Sequence, residues 1–257
     1  MDNNQYETLM KHLRYIESLL ENIPNAKTLF DKPPSPKEEY ECPICKTKAA
    51  SFATYSNRPN AQCPNCRSLE RHRALWLVAE YLDWHKKGMK ILDFVSEPVF
   101  YKLFSSLKDV DYWPVDMIQK KFRTEVRATI DITNIPFDSD SFDLIMCNYI
   151  MEFLPDDKKA MSEIHRVLKP KTGLAFLNVP IRGVPRTVEN PEYNTPELRF
   201  KYYGNKDHMR HYALDYPERL AKAGFNVQSF AVKDMEDKII KRYSLNKRDT
   251  TFLCRKG

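Results

Sequence analysis

A chain of 257 residues with 42% hydrophobic side chains can hold one large domain and a small appendage around a true core. Its net charge of +6 comes from 41 basic residues interleaved with 35 acidic ones, which is not the concentrated basic stripe of a dedicated nucleic-acid binder. No apolar run approaches a membrane span and no charged-then-apolar leader opens the sequence, so no membrane contact and a cytoplasmic location are expected.

Residues 3–23 place Tyr6, Leu9, Leu13, Ile16, Leu20 and Ile23 three or four apart, the spacing of a helix with one narrow apolar seam. That seam docks either on the chain's own domain or on a partner helix in a homodimer. The run Asp31-Lys32-Pro33-Pro34-Ser35-Pro36 cannot continue a helix and reads as a stiff linker. The expected organisation is an N-terminal helix over 1–30, a small module over 31–73 and the main domain over 74–257.

In the small module, Cys42-Pro43-Ile44-Cys45 and Cys63-Pro64-Asn65-Cys66 are separated by 17 residues. Two residues between thiolates let one tight turn aim both sulfurs at one ion, and zinc prefers a tetrahedron of sulfur. A structural zinc on Cys42, Cys45, Cys63 and Cys66 is expected, closed to water and substrate and therefore without chemistry of its own. Cys147 and Cys254 fall in apolar, strand-like runs and read as buried thiols. After Cys66 come Arg67, Arg71 and Arg73, then a helix with apolar positions at Leu75, Val78 and Leu82. Positive charge at a helix start opposes the dipole, and an anionic neighbour is the expected remedy.

From Lys90 onward, short apolar runs alternate with helical stretches, the pattern of an α/β fold with a parallel sheet. Strands are expected at 91–95, 110–115, 126–130, 142–147 and 174–179. A helix is expected over 99–107, and another is capped by Asp156, runs to Leu168 and is stopped by Pro170. A polar stretch from 182 to 207 leads to a helix around 217–223 closed by Gly224. Strands at 225–232 and 250–254 follow with no crossover helix between them and should pair antiparallel.

Ligands of such sheets bind beyond the carboxyl ends of the strands. The residues there are Asp93, Val95 and Glu97, then Asp116 and Met117, Asp131 and Ile132, and Asn148 and Tyr149. Acids after successive strands suit an adenosine ligand, with Asp116 on the ribose hydroxyls and Asp131 on the adenine amino group. A helix cap for Asp116 and a turn role for Asp131 are the plain alternatives.

Over roughly residues 89–256 the sequence resembles the class I S-adenosylmethionine-dependent methyltransferases. The resemblance rests on Ile91-Leu92-Asp93, Asp116, the stretch from Asp131 to Phe137, Ser141-Phe142-Asp143-Leu144-Ile145, and Glu163-Ile164-His165-Arg166-Val167-Leu168-Lys169-Pro170. With Arg67-Ser68-Leu69-Glu70-Arg71-His72-Arg73 behind the second cysteine pair, the chain resembles the subset that carries an N-terminal four-cysteine ribbon. The resemblance implies a Rossmann-like sheet of seven strands with the last antiparallel, S-adenosylmethionine as cofactor, and methyl transfer to oxygen or nitrogen of a small-molecule or sugar-type acceptor.

Two departures stand out. The usual glycine-rich loop after strand one is Phe94-Val95-Ser96-Glu97-Pro98, although a cofactor without phosphate needs no anion-binding nest. The position after Glu152, commonly His in the related pattern, is Phe153. The piece Asp207-His208-Met209-Arg210 resembles a "DHxR" motif of the ribbon-bearing subset and implies His208 as base and Arg210 as an anchor for an acidic substrate group, unless both merely fasten their segment. Two other readings remain: an RNA methyltransferase whose ribbon, Arg67, Arg71 and Arg73 grip phosphates, and an inactive binding module of the same fold.

Overall fold

The computed structural model describes residues 40–117 and 125–257. The expected N-terminal helix, its homodimer contact and the proline-rich linker lie outside the described residues.

The chain opens with two small hairpins, β1 (Tyr40–Glu41) with β2 (Lys48–Ala49) and β3 (Ala53–Tyr55) with β4 (Arg58–Gln62). Helix α1 (Glu70–Tyr81) leads into the main sheet of β5 (Lys90–Phe94), β6 (Asp111–Asp116), β7 (Ala128–Thr129), β8 (Leu144–Asn148), β9 (Leu174–Asn178), β10 (Phe225–Ala231) and β11 (Thr250–Lys256). The strand order is β10-β11-β9-β8-β5-β6-β7. Only β11 runs against its neighbours, pairing antiparallel with β9 and β10, so the last strand is the reversed one as expected.

Both faces of this sheet are covered, which is why its central strands are almost continuously apolar. On one face Leu92, Val115, Ile145 and Cys147 pack under Met161, Ile164 and Val167 of α3 (Asp157–Val167) and Leu220 of α5 (Tyr216–Lys222). On the other, Ile91, Leu144, Met146 and Phe176 pack under Leu75, Trp76 and Val78 of α1 and Phe100 and Phe104 of α2 (Pro98–Ser105). The alternation of Ile91 and Leu92 between the two clusters is the two-residue period of a strand. Cys147 and Cys254 are fully buried. Asp156 caps α3, its Oδ1 accepting from the Lys159 amide at 2.9 Å.

Helix α1 begins at Glu70, so the cationic residues Arg71 and Arg73 lie near its start; the His72 ring accepts from the Leu69 amide at 3.1 Å and closes the first turn. Three expectations are corrected. The third strand shrinks to the two-residue edge strand β7. The stretch 182–207 contains α4 (Pro196–Tyr203), with Thr195 capping the Leu198 amide, Pro196 in the first turn and Gly204 at φ 71° closing it. The connection from β10 to β11 also holds a helix, α6 (Asp237–Arg242), yet the strands stay antiparallel. Ile240 of α6 packs with Ala74, Val232, Tyr243 and Leu245 instead of crossing the sheet face.

The hairpins are locked to the main domain at this same corner. The buried Arg73 guanidinium donates to the carbonyls of Ala61, Ser68, Tyr243 and Ser244 at 2.6–3.1 Å and lies over the Phe52 ring. Ser244 Oγ donates to the Asn60 carbonyl and Arg242 pairs with Glu41, both at 2.7 Å.

Candidate functional site

The strand order reverses between β5 and β8, so the crevice beyond their carboxyl ends is where a ligand is expected. The residue after each of these two strands is left-handed without being glycine: Val95 has φ 54° and Tyr149 φ 58°. For a β-branched residue this is a genuine outlier that the surrounding bonds must impose. The Val95 amide donates to the Val115 carbonyl and the Tyr149 amide to the Asn178 carbonyl, each at 2.7 Å. The loop after strand one thus adopts a glycine-type conformation with a valine in place.

Asp93 does not face this crevice. Its Oδ2 accepts from Ser96 Oγ at 2.5 Å and Tyr112 Oη at 2.8 Å, and burial raises its carboxyl to about 7 against those bonds. It fastens the loop from below. Glu97 likewise is paired within the protein, with Arg71 at 2.6 Å and with His72. Burial alone would raise Glu97, but its contacts with His72 and the Arg71 guanidinium hold it down at about 2. Glu97 is therefore the anionic neighbour that the cationic helix start called for.

Asp116 is buried at the end of β6, with Oδ1 accepting from the Met117 amide at 2.7 Å. Asp131 is exposed, and its Oδ1 closes a turn on the Thr133 amide and hydroxyl, both at 2.8 Å. Ile132 is a core residue, so its side chain is not available to a ligand. Asn148 Oδ1 accepts from Asn178 Nδ2 at 2.7 Å. Tyr149 lies half-buried with the Arg71 guanidinium 4.8 Å above its ring.

The role expected of Arg210 is overturned. All five of its N–H groups are used, on the carbonyls of Met151, Leu154 and Pro155 and twice on Glu189, leaving nothing for a substrate. It anchors the 182–212 segment beside the 3-10 turn Met151–Phe153. His208, in contrast, keeps a buried Nδ1 with no hydrogen-bond partner among the described residues. Burial, with His211 and Arg182 nearby, lowers its pKa below the ordinary imidazole value, so the ring is neutral and able to accept a proton.

Three residues that sequence reasoning missed complete the crevice. Glu152 is buried, with an unpartnered Oε2, and burial raises it to about 7. A carboxylate between Ile150-Met151 and Phe153-Leu154, directly after strand four, was the signal. Arg248 and Asp249 lie just before β11, and because β11 is reversed its start joins the carboxyl ends of its neighbours. There a cavity of about 240 Å³ opens above Tyr149 and residues 179–181, walled by Arg58, Glu70, Arg71, Arg248 and Asp249.

The four cysteine sulfurs lie within 4.8 Å of one another, with Cys42–Cys66 and Cys45–Cys63 at 3.6 Å. Bonds of about 2.3 Å to one tetrahedral ion require sulfurs about 3.8 Å apart, which this cluster matches. Both turns share one geometry: the residues after Cys45 and Cys66, Lys46 and Arg67, sit at φ 59° and 60°, and each donates to the carbonyl of the first cysteine in its pair. Of the three arginines in the nucleic-acid reading, Arg73 is buried on carbonyls and Arg71 pairs with Glu97, while Arg67 is exposed.

Residues 96–176 match the family model of the methyltransferase domain. A demethylmenaquinone methyltransferase of Chlamydia caviae is 29% identical over 120 residues, 44% of this chain and 50% of that protein, so the match spans about half the length of that curated relative. Among solved structures, a chain from the complex of the Haloferax volcanii Trm112 methyltransferase activator with a candidate methyltransferase superposes with a TM-score of 0.50 at 16% identity, covering 72% of this chain and 90% of that one. YcgJ of Bacillus subtilis gives 0.49 at 16% identity, over 72% and 99%. The fold is the Rossmann-like methyltransferase fold. No helix among the described residues is long and apolar enough to cross a membrane.

Proposed function

We propose that this protein is an S-adenosylmethionine-dependent methyltransferase that alkylates an oxygen or nitrogen of a small polar acceptor and carries a structural zinc ribbon. The observation that carries the reading is the left-handed Val95 at the switch point, beside the buried Asp116 carboxylate at the end of the neighbouring strand. A valine is held there against its own preference, which supports a loop shaped for close approach of a ligand.

In this reading Asp116 holds the ribose hydroxyls, and Met117 and the turn at Asp131 flank the adenine. The loop 94–97 and Asn148–Tyr149 frame the reacting end. The cofactor, when bound, supplies a methyl group on a sulfonium. The neutral His208 accepts the proton that the acceptor loses, and Glu152 and Tyr149 shape the dry side of the crevice. Cys42, Cys45, Cys63 and Cys66 hold zinc with no open position, so the metal keeps the ribbon's shape and takes no part in transfer.

The test is calorimetry with S-adenosylhomocysteine. Micromolar binding to the native chain and its loss in Asp116→Ala are expected. No heat with the native chain would leave a binding module of this fold without the cofactor.

A further inference from the structure

We infer that the cavity above Tyr149 is the acceptor site, shared between ribbon and sheet, and that it takes a hydroxylated small molecule bearing one compact anionic group. This rests on the methyltransferase reading and adds the acceptor's chemistry to it. The cavity sits over the carboxyl ends of β8 and β9, beside the switch point, so a ligand in it faces the reacting end of the crevice.

Its volume of about 240 Å³ corresponds to about eight liquid-water volumes at ~30 Å³ each, room for one monosaccharide-sized molecule. Its walls are charged on both sides. Arg58, from β4 of the ribbon, is held bidentately by Glu70 at 2.8 and 3.2 Å and forms a fixed rim. Arg71 spends one N–H on Glu97 while its buried Nε has no hydrogen-bond partner among the described residues. Arg248 is exposed, and its guanidinium makes no hydrogen bond or ion pair among the described residues. Two guanidiniums with open donors suit a carboxylate or a phosphate, which both accept planar N–H pairs.

Between them stands Asp249, whose carboxylate takes no hydrogen bond among the described residues. Burial, reinforced by Glu70, raises it to about 6. A hydroxyl of the ligand is the donor this carboxylate lacks. The requirement for an anion and a hydroxyl on one small molecule follows from these open groups, and Arg58 makes the ribbon part of the wall.

The experiment is calorimetry on the full chain saturated with S-adenosylhomocysteine, titrated with glucuronate, glucose 6-phosphate and glucose as probes. At least one anionic sugar should bind tenfold or more tighter than glucose, and the better of the two tells carboxylate from phosphate. Arg248→Ala and Asp249→Asn should each weaken that binding at least tenfold while S-adenosylhomocysteine affinity stays within twofold. Equal binding of glucose, no heat with any of the three sugars, or variants that bind the anionic sugar as tightly as the native chain would overturn the assignment. Absent S-adenosylhomocysteine binding with the anion preference intact would instead overturn the methyltransferase reading.

Discussion

The imidazole of His208 stands edge-on to the ring of Phe153, with ring centroids 4.7 Å apart and planes at 88°. Phe153 occupies the position at which the related pattern commonly has histidine, so the chain brings an imidazole to this spot from a different segment. The contact is set by the backbone, since the Met209 amide donates to the Glu152 carbonyl at 2.7 Å.

His208→Ala should lower methyl transfer by about 10²–10⁴-fold, the usual worth of a positioned proton acceptor, with S-adenosylhomocysteine affinity unchanged. Because burial lowers the folded pKa, the rate of the native enzyme should be flat above pH 7 and fall on the acid side. Steady-state rates across pH 5–9 check both points, and native turnover in the variant would remove His208 from the chemistry.

Val95 offers a test of backbone conformation alone. Val95→Gly relieves a left-handed valine, worth about 1–3 kcal/mol, against the loss of a half-buried side chain worth about 1 kcal/mol, so stability should hold or rise slightly. Cofactor affinity should also hold. Val95→Pro fixes φ on the wrong side and deletes the donor to the Val115 carbonyl, and calorimetry should find no S-adenosylhomocysteine binding.

Metal analysis after gentle purification should return one zinc per chain, and Cys63→Ser should lose it. Chelation should lower the midpoint of thermal unfolding for the whole protein, as the ribbon is bonded into the main domain through Arg73, Ser244 and the Glu41–Arg242 pair. A substoichiometric metal content, or an unchanged midpoint after metal removal, would count against a structural zinc.

Glu152 predicts a pH dependence of stability. Its folded value of about 7 lies above the ordinary 4.5, so the folded state holds a proton that the unfolded chain releases. Below about pH 4.5 both states are protonated and there is no penalty; as pH rises to about 7 the native state loses up to about 3 kcal/mol of relative stability. Glu152→Gln should flatten that decline, as read from urea unfolding at pH 5 and pH 8. A decline identical to the native one would mean the group is not buried as an acid.

The sheet was legible because its central strands are buried on both faces and so stand out as apolar runs, and the paired cysteines announced the four-cysteine cluster by spacing alone. Helices α4 and α6 were harder: both are short and largely exposed, so packing leaves little periodicity, although Thr195, Pro196 and Gly204 do mark the limits of α4. At the site, sequence position identified the strand ends but not the direction of their side chains. Asp93 and Ile132 sit where expected and turn inward, and all five N–H groups of Arg210, expected to reach for substrate, are used on internal acceptors. Arg248 and Asp249 escaped because they precede a strand rather than follow one, and reach the site only through the reversal of β11.

Arg73 touches four carbonyls drawn from two regions, Ala61 and Ser68 on one side and Tyr243 and Ser244 on the other. Neither region can separate without stranding a buried guanidinium and its carbonyl partners in an apolar setting. The hairpins are thus no detachable accessory: they and the sheet form one cooperative unit, and whatever loosens the four-cysteine cluster loosens the main domain as well.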